Sequence, residues 1–476
     1  MHAPAVHVRA PGITHGVQTG DVQDGHALVW ARCDEPARML VEWATEPSFA
    51  RATRVVGPVV GPRTDGTGTA WLRGLPDAQT ICYRVRFERE AARGASQWAQ
   101  GRFMTPRADR VRVAWSGDTC GQGYGRNPEW GGLRGFSAIR AVEPSIFINS
   151  GDLIYADNPI LPELPTPDGR VWKNVSNERV ARVAESIEDF RARYAYNFDD
   201  EHVRALAAEV PVIAQWDDHE VHNNWWPGQR LEDDRYGERD VGVLMGRAAR
   251  AFREWTPIGG PAIHRVIHYG PLLDVVVVDL RSFRDANDGN RGAERRIFGA
   301  EQARWLVETL ARSRARWKIV ACDQPLALVV PDGPLRQEGL ANGEGPPLGR
   351  ERELATVLAG LQARGVKNVV WLTADVHYAA AHHFDPARGN GAAFDPFWEF
   401  VAGPIHAGTF GPNPLDPTFG PEVRFQWTQP EGAKRLAPWY ELLSFGTVDV
   451  ATDHVRVGLW GIAGGPRFSV EVAAER

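Results

Sequence analysis

Pro211-Val-Ile-Ala-Gln-Trp-Asp-Asp-His-Glu-Val-His-Asn-Asn224 is an apolar run that ends in acids, histidines and amides. A strand of about six residues carries Val212–Trp216 through a core and leaves the polar cluster at its C-terminal edge, where open α/β sheets bind ligands. Four further runs end alike. Val111–Ser116 precedes Gly117-Asp118-Thr119-Cys120, and Ser145–Ser150 precedes Gly151-Asp152-Leu153-Ile154-Tyr155. Trp317–Cys322 precedes Asp323-Gln324, and Asn368–Thr373 precedes Ala374-Asp375-Val376-His377. In one parallel sheet these tips reach a single edge, and their acids, histidines and thiol converge on one pocket. A lone Asp after a strand is usually a helix cap or turn residue. Caps take Ser, Thr or Asn as readily, however, so capping does not explain acids that recur with His beside them. Packed together without a cation, the carboxylates would raise each other's pKa. Oxygen and imidazole donors at this density predict bound metal.

The chain has 476 residues, so a core domain with a smaller module is expected. A formal net charge of −6 gives no sign of a nucleic-acid-binding surface. No apolar run approaches the roughly 18 residues of a membrane span, and Met1–Asp21 lacks the basic segment and apolar core of an export signal. The expected location is the cytoplasm if Met1 is the native start, and secreted or periplasmic if an export signal was trimmed. Four cysteines are too few for a disulfide scaffold. Alternation points Leu28, Trp30, Ile81, Tyr83 and Val85 inward and leaves Cys33 and Cys82 on the opposite face, which argues against a bridge between them. Cys322 ends a buried run and reads as packing.

Residues 1–106 contain the short extended runs His26–Ala31, Arg38–Trp43, Arg54–Val59, Ala70–Leu72 and Ile81–Phe87, separated by Asp-Gly, Gly-Pro and Pro-Asp turns. That spacing predicts a small fibronectin-like β-sandwich in a packing or lid role. From Arg110 onward strands alternate with helical segments. Leu354, Val357, Leu358 and Leu361 fall on one face of Gly349–Arg364, and Ala300–Ala311 reads the same way. Val183–Tyr196 and Val241–Trp255 are further helical candidates. Val275–Val278 is a β-branched run expected of a strand buried on both faces, followed by Asp279 and Arg281. Leu328–Gly349 and Asp385–Pro438, rich in Pro and Gly, read as irregular. The second carries Phe394, Phe397, Trp398, His406, Phe410, Phe419 and Trp427, with Trp439 just beyond, and reads either as a substrate wall or as an insertion packed on itself. Leu442–Val450 and His454–Ile462 form a hairpin that would close a sheet edge.

Gly117-Asp-Thr-Cys-Gly-Gln-Gly-Tyr-Gly125, Ser150-Gly-Asp-Leu-Ile-Tyr-Ala-Asp157, Trp216-Asp-Asp-His-Glu-Val-His-Asn-Asn224 and Leu372-Thr-Ala-Asp-Val-His377 together resemble the PhoD-like family of alkaline phosphatases and phosphodiesterases, within the calcineurin-like metallophosphoesterases. Gly16-Val-Gln-Thr-Gly-Asp21 and Leu28-Val-Trp-Ala-Arg32 resemble that family's leading β-sandwich. The resemblance implies an α/β fold: a four-layer α/β/β/α metallophosphoesterase domain over 107–476, after the sandwich of 1–106. It also implies a bimetal centre. Asp118 matches the first-strand ligand, Asp152 the bridging carboxylate, and Tyr155 a phenolate ligand that favours Fe3+. Asp218 stands where the superfamily has a metal-binding Asn, and His219 where it has the catalytic His. Asp375 and His377 stand where it has two ligand histidines, and Asp323 matches the remaining ligand. Cys120 departs from the usual Asp-x-His, so it is either a soft ligand or a bystander.

The implied activity is phosphoric ester hydrolysis, of monoesters, diesters or both, by a hydroxide activated at two cations. These would be Fe3+ with Ca2+, or with Zn2+, Mn2+ or Mg2+. His219 would act as general acid or phosphoryl donor, and Asn223 and Arg281 would hold non-bridging oxygens or serve structure alone. The substrate class extends to lipid head groups. An alternative of another class is a non-catalytic surface- or carbohydrate-binding protein with a structural Ca2+ site.

Overall fold

The computed structural model describes residues 10–90, 94–293 and 295–475. Seven strands come first: β1 (Ile13–Gln23), β2 (His26–Cys33), β3 (Ala37–Ala44), β4 (Thr53–Val60), β5 (Thr67–Arg73), β6 (Thr80–Glu88) and β7 (Ala99–Met104). There follow β8 (Val111–Ser116), α1 (Arg134–Ala141), β9 (Ile146–Ser150), β10 (Glu163–Pro165), β11 (Val171–Lys173), α2 (Ile187–Phe198), α3 (Glu201–Glu209), β12 (Val212–Gln215) and α4 (Val241–Trp255). The chain continues through β13 (Arg265–Tyr269), β14 (Leu273–Val277), α5 (Ala300–Arg312), β15 (Trp317–Ala321), β16 (Pro331–Asp332), β17 (Arg336–Gln337) and α6 (Glu351–Ala363). It ends with β18 (Val369–Thr373), β19 (Ala379–Phe384), β20 (Phe397–Val401), β21 (Pro421–Trp427), β22 (Ser444–Val450), β23 (His454–Gly461) and β24 (Pro466–Ala473).

The strand tips do not share one sheet, as the sequence suggested. One sheet runs β24-β23-β22-β8-β9-β12-β1-β2-β5 and a second runs β13-β14-β15-β18-β20-β19-β21. Strands β8, β9 and β12 are parallel neighbours in the first, and β14, β15, β18 and β20 in the second. Apolar residues of both sheets meet in one core, with Val113, Trp115, Ile148 and Ile213 from the first and Val275, Ile319, Val370 and Leu372 from the second. The outer face of the second sheet (Val276, Val320, Trp371) packs on Leu306, Leu310, Leu354 and Leu358 of α5 and α6. On the outer face of the first, Ala214 and Trp216 meet α2 and α4, and Ala114 and Phe147 meet α1 and α3. Two facing sheets therefore divide the functional tips between them, and helices cover both outer faces. Side-by-side parallel strands in each sheet then bring their C-terminal ends to the same rim.

The N-terminal strands are hydrogen-bonded into this frame. Gly20 of β1 pairs in parallel with Val212 of β12, which extends the first sheet through β2 and β5, while β4-β3-β6-β7 forms a separate sheet. Strand β2 is buried on both faces: Val29, Ala31 and Cys33 turn to the central core, while Trp30 packs on Trp255 with ring centroids 5.6 Å apart. Alternation alone misplaced Cys33 for that reason. Cys33 and Cys82 are both free thiols.

Helix α2 starts later than its apolar period suggests because Ser186 and Asp189 form a reciprocal capping box. Of the two stretches read as irregular, Asp385–Pro438 contains β20 and β21, and Phe394, Phe397 and Phe419 are core residues against α6 rather than a substrate wall. The C-terminal hairpin β22–β23 forms as expected but does not close the edge, since β24 pairs outside it. Among the described residues no helix is long and apolar enough to cross a membrane.

Trp115 ties the two sheets at the level of the tips, its indole N–H donating to the carbonyl of Thr373 at 3.2 Å. Gly446, opposite Trp115 in β22, leaves room for that ring, since a Cβ there would lie 2.0 Å from it. Gly446→Ala should destabilise the protein by at least roughly 1–3 kcal/mol through overpacking. A urea transition midpoint unchanged by the substitution would show that the ring is not held there.

Candidate metal centre and cleft

Three of the five tips leave their strands through residues in the left-handed region. The φ values are 67° at Asp118, 51° at Asp152, 68° at Asp375 and 59° at His377, none of them glycine. Side chains in that region cost of order 1–3 kcal/mol each and persist where the surroundings fix them. Glu220 does much of the fixing: its carboxylate accepts from the backbone N–H of Asp152 (3.2 Å), Leu153 (2.6 Å) and Asp217 (2.8 Å). Gly151 permits the approach of the two tips, because a Cβ there would come within 2.5 Å of the Asp217 Cβ.

Three groups of donors result, each with ligand atoms within 4.8 Å of one another: Asp118, Asp152 and His377; Asp152, Asp218 and His219; and Asp217, Asp218 and Asp375. The first two share Asp152 and the last two share Asp218. Tyr155 belongs with the first, its hydroxyl 2.8 Å from His377 Nε2, while His377 Nε2 lies 3.4 Å from Asp118. Burial, followed by neighbouring carboxylates, holds Asp152 and Asp375 well above the ordinary carboxylate range. One oxygen each of Asp118, Asp217, Asp218, Asp323 and Asp375 is buried with no hydrogen-bond partner. Unpaired buried carboxylate oxygens are expensive. Their convergence fits cation binding.

The PhoD-like phosphatase model matches residues 113–458, and the model of that family's N-terminal domain matches residues 2–107. The chain belongs to the PhoD-like phosphatase family. It is 26% identical over 437 residues to alkaline phosphatase D of Bacillus subtilis (strain 168), covering 84% of this chain and 70% of the relative. The solved structure of PhoD superposes with a TM-score of 0.71 at 20% identity, over 99% of this chain and 90% of that one. Purple acid phosphatase PPD1 from yellow lupin (Lupinus luteus) seeds shares the fold with a TM-score of 0.63 at 14% identity, over 98% of this chain and 74% of that one. The protein is a phosphoesterase enzyme.

Against that family background, the predicted residues separate into distinct places. Asp118, Asp152, Tyr155, Asp218, His219, Asp375 and His377 are brought together, and Asn223 joins several of them in lining a cleft of about 720 Å3. Asp323 lies deeper, fully buried, with Gln215 donating to it at 3.4 Å, and it is not part of the three donor groups. The Cys120 thiol packs among Leu133, Phe136 and Phe147, and burial pushes its pKa up. Arg281, read as a holder of substrate oxygens, is fully buried behind the acids and does not line the cleft. Its guanidinium lies 2.5 Å from Asp217 and Glu338 and 3.8–3.9 Å from Asp218, Asp323 and Asp375. It compensates part of the negative charge from within the protein.

Several contributors carry no sequence signal of their own. Glu338 sits in a stretch without a motif. Asp157 and Glu220 lie inside the quoted motifs, yet nothing in the spacing gives them a role. Asp157 Oδ1 is 2.6 Å from His219 Nδ1, and the imidazole stacks on the Tyr155 ring with centroids 4.1 Å apart. Burial alone would push His219 down, but the carboxylates of Asp157 and then Asp218 outweigh it and raise the imidazole to about 10. Burial would likewise push Asp157 up, but His219 holds it at about 2. Between those limits His219 is an imidazolium bonded to Asp157 through Nδ1, which leaves its Nε2–H for the cleft.

The sign of the pH dependence follows. A raised histidine pKa is lost as pH rises through its folded value, so activity that needs this proton fails on the alkaline side. Asp157→Asn keeps an acceptor for Nδ1–H but removes the charge. The alkaline limb of kcat/KM should therefore move to lower pH, and a limb that stays in place would show that His219 protonation does not depend on Asp157.

Proposed function

We propose that this enzyme hydrolyses phosphoric esters at a bimetal centre held by Asp118, Asp152, Tyr155, Asp218, Asp375 and His377. The observation that supports this most directly is the sharing of Asp152 between two donor groups on the floor of the cleft, as a bridging carboxylate requires. Bound there, two cations would polarise a phosphate oxygen and supply a water acidic enough to attack at neutral or alkaline pH. The chain's own residues do the rest. Asp152 belongs to both of the first two donor groups, and its Oδ1 also accepts from the His219 backbone N–H at 3.1 Å. His219 offers its Nε2–H to the leaving oxygen, a general-acid role worth typically about 10²–10⁴-fold. Asn223, held by a bond from its backbone N–H to Asp157 at 3.4 Å, faces the same space and can donate to a non-bridging oxygen. The walls of the cleft keep the phosphate on this side of the acids, and Arg281 behind them offsets part of the repulsion among the carboxylates before metal binds. Strands β1–β7 would make up the fibronectin-like β-sandwich of this enzyme and brace the first sheet, a reading supported by the pairing of β1 with β12 and by the separate sheet β4-β3-β6-β7.

Tyr155 supports an assignment for one cation. A phenol ionises near pH 10 in water, and here burial and then Asp152 push it higher still. Only a strongly polarising cation would bring it to phenolate at neutral pH, which favours Fe3+ over Ca2+, Mg2+ or Zn2+ at the Tyr155 position, with a divalent ion as partner. Iron-loaded protein should then be purple to pink-violet, and Tyr155→Phe should abolish the colour. A colourless active enzyme without iron would overturn the assignment.

For the activity, p-nitrophenyl phosphate and bis-p-nitrophenyl phosphate should be hydrolysed, the rate should vanish on chelation, and readded metal should restore it. Asp152→Ala should lose activity and metal content together. Turnover like that of the wild type with full metal content would overturn the shared-carboxylate reading.

A further inference from the structure

Two arginines line the cleft, and they differ in their surroundings. Arg235 is committed to the protein, with Nη2 2.6 Å from Asp233 and Nη1 donating to the Asp157 carbonyl at 3.1 Å. Arg435 makes no ion pair with a carboxylate among the described residues, although it lines the same cleft as Asp152, Asp218, His219 and His377. Its guanidinium stands over the Phe410 ring at 6.0 Å, and Phe410 itself packs on the His377 imidazole with centroids 4.9 Å apart. The cation is thus two contacts from a candidate metal ligand, out on the cleft wall.

The backbone that carries it is held in place. Arg435 has φ 45°, in the left-handed region, and it is exposed, so no packing of its own side chain explains that conformation. The Tyr124 hydroxyl donates to the Arg435 carbonyl at 2.8 Å, and the Thr409 N–H donates to the carbonyl of Leu436 at 3.2 Å. Gly408 passes beneath it, where a Cβ would lie 3.4 Å from the Arg435 Cβ. Strain held by surrounding bonds, at a cleft residue whose charge the protein leaves uncompensated, is where a ligand contact is expected.

We infer that Arg435 is a specificity-determining residue that receives a second anionic group, a carboxylate or phosphate on the alcohol part of the ester, while the scissile phosphate lies at the acids. This rests on the phosphoesterase site proposed above and adds the class of alcohol it takes. The scissile phosphate has its own partners in the centre and in His219 and Asn223. Arg435 stands apart from them beyond the Phe410 ring, so its charge acts on the leaving group instead. A planar aromatic alcohol with an anion at its far end matches an aromatic ring capped by a guanidinium.

The test uses the metal-loaded enzyme and three para-substituted phenyl phosphates that differ in the charge of the substituent: 4-nitrophenyl, 4-carboxyphenyl and 4-trimethylammoniophenyl phosphate. Arg435→Ala should lower kcat/KM for the carboxy ester about tenfold, as expected for one charge-assisted bond, mostly through KM, and leave the nitro ester within about twofold. Arg435→Lys should recover part of the loss, and Arg435→Glu should reverse the order of the carboxy and trimethylammonio esters. Arg435→Gly, which suits the left-handed backbone, separates loss of charge from loss of fold and should match the alanine variant. Equal losses on all three esters, or no loss on any, would overturn the inference. Failure of the wild type to hydrolyse any of them would instead overturn the phosphoesterase reading.

Discussion

Negative charge buried without enough positive charge is the constraint on which the rest of this structure depends. Asp118, Asp152, Asp217, Asp218, Asp323 and Asp375 crowd the rim of the two sheets, and a single guanidinium, that of Arg281, reaches four of them. One cation cannot neutralise that set, and the effective penalty for an uncompensated buried ion is several kcal/mol. The protein nevertheless spends strain to hold the acids in place. Four tip residues sit in the left-handed region, Glu220 clamps three backbone N–H groups, and Gly151 allows two tips to touch. Bound cations would relieve an arrangement this unfavourable by itself, and metal content would then be part of the stability of the folded rim as well as of its chemistry.

The division of the acids between sheets has a second consequence. Asp118, Asp152, Asp217 and Asp218 follow strands of the first sheet, whereas Asp323, Asp375 and His377 follow strands of the second. A cation in the first or third donor group would therefore bind across the seam between sheets. The bond from Trp115 to the Thr373 carbonyl spans the same seam just below. The registry of one sheet on the other, set by an apolar core that has no interest in catalysis, thus fixes whether donors meet within a ligand's reach.

Much of this was legible in the sequence because strands buried on both faces read as continuous apolar runs, and an acid at the end of such a run has few other reasons to be there. The helices with long apolar faces, α4, α5 and α6, were equally plain. What stayed hidden has physical causes. Whether parallel strands belong to one sheet or two is a matter of long-range pairing that local pattern does not record. Helices α1 and α3, of eight and nine residues, are too short for periodicity to stand out. Arg281 was visible as a charge after a strand, but only packing shows that it lies behind the acids. Asp157 and Glu220 were visible as letters, yet their roles depend on which atoms they face: an imidazole nitrogen in one case, three backbone N–H groups in the other. The aromatics of Asp385–Pro438 misled because composition does not separate a ring in the core from a ring on a wall, and of those near the cleft Phe410 alone among them lines it.

Chemistry and selectivity are consequently built from different material. Most of the groups that would act on phosphorus (Asp118, Asp152, Asp218, His219 and His377) are buried, and they follow strand ends, so a change there disturbs the packed rim itself. The far wall of the cleft comes from connecting segments and two very short strands: Leu161 before β10 and Leu164 within it, Val330 to Gly333 around β16, and Phe410 to Asn413 with Arg435 from the stretch around β21. Loops on a rigid scaffold can change their side chains without disturbing the core beneath them. A charge such as that of Arg435 can therefore be gained, lost or reversed at little cost to the fold, while the acids cannot. That separation would let one ester-cleaving rim serve alcohols of different charge and shape.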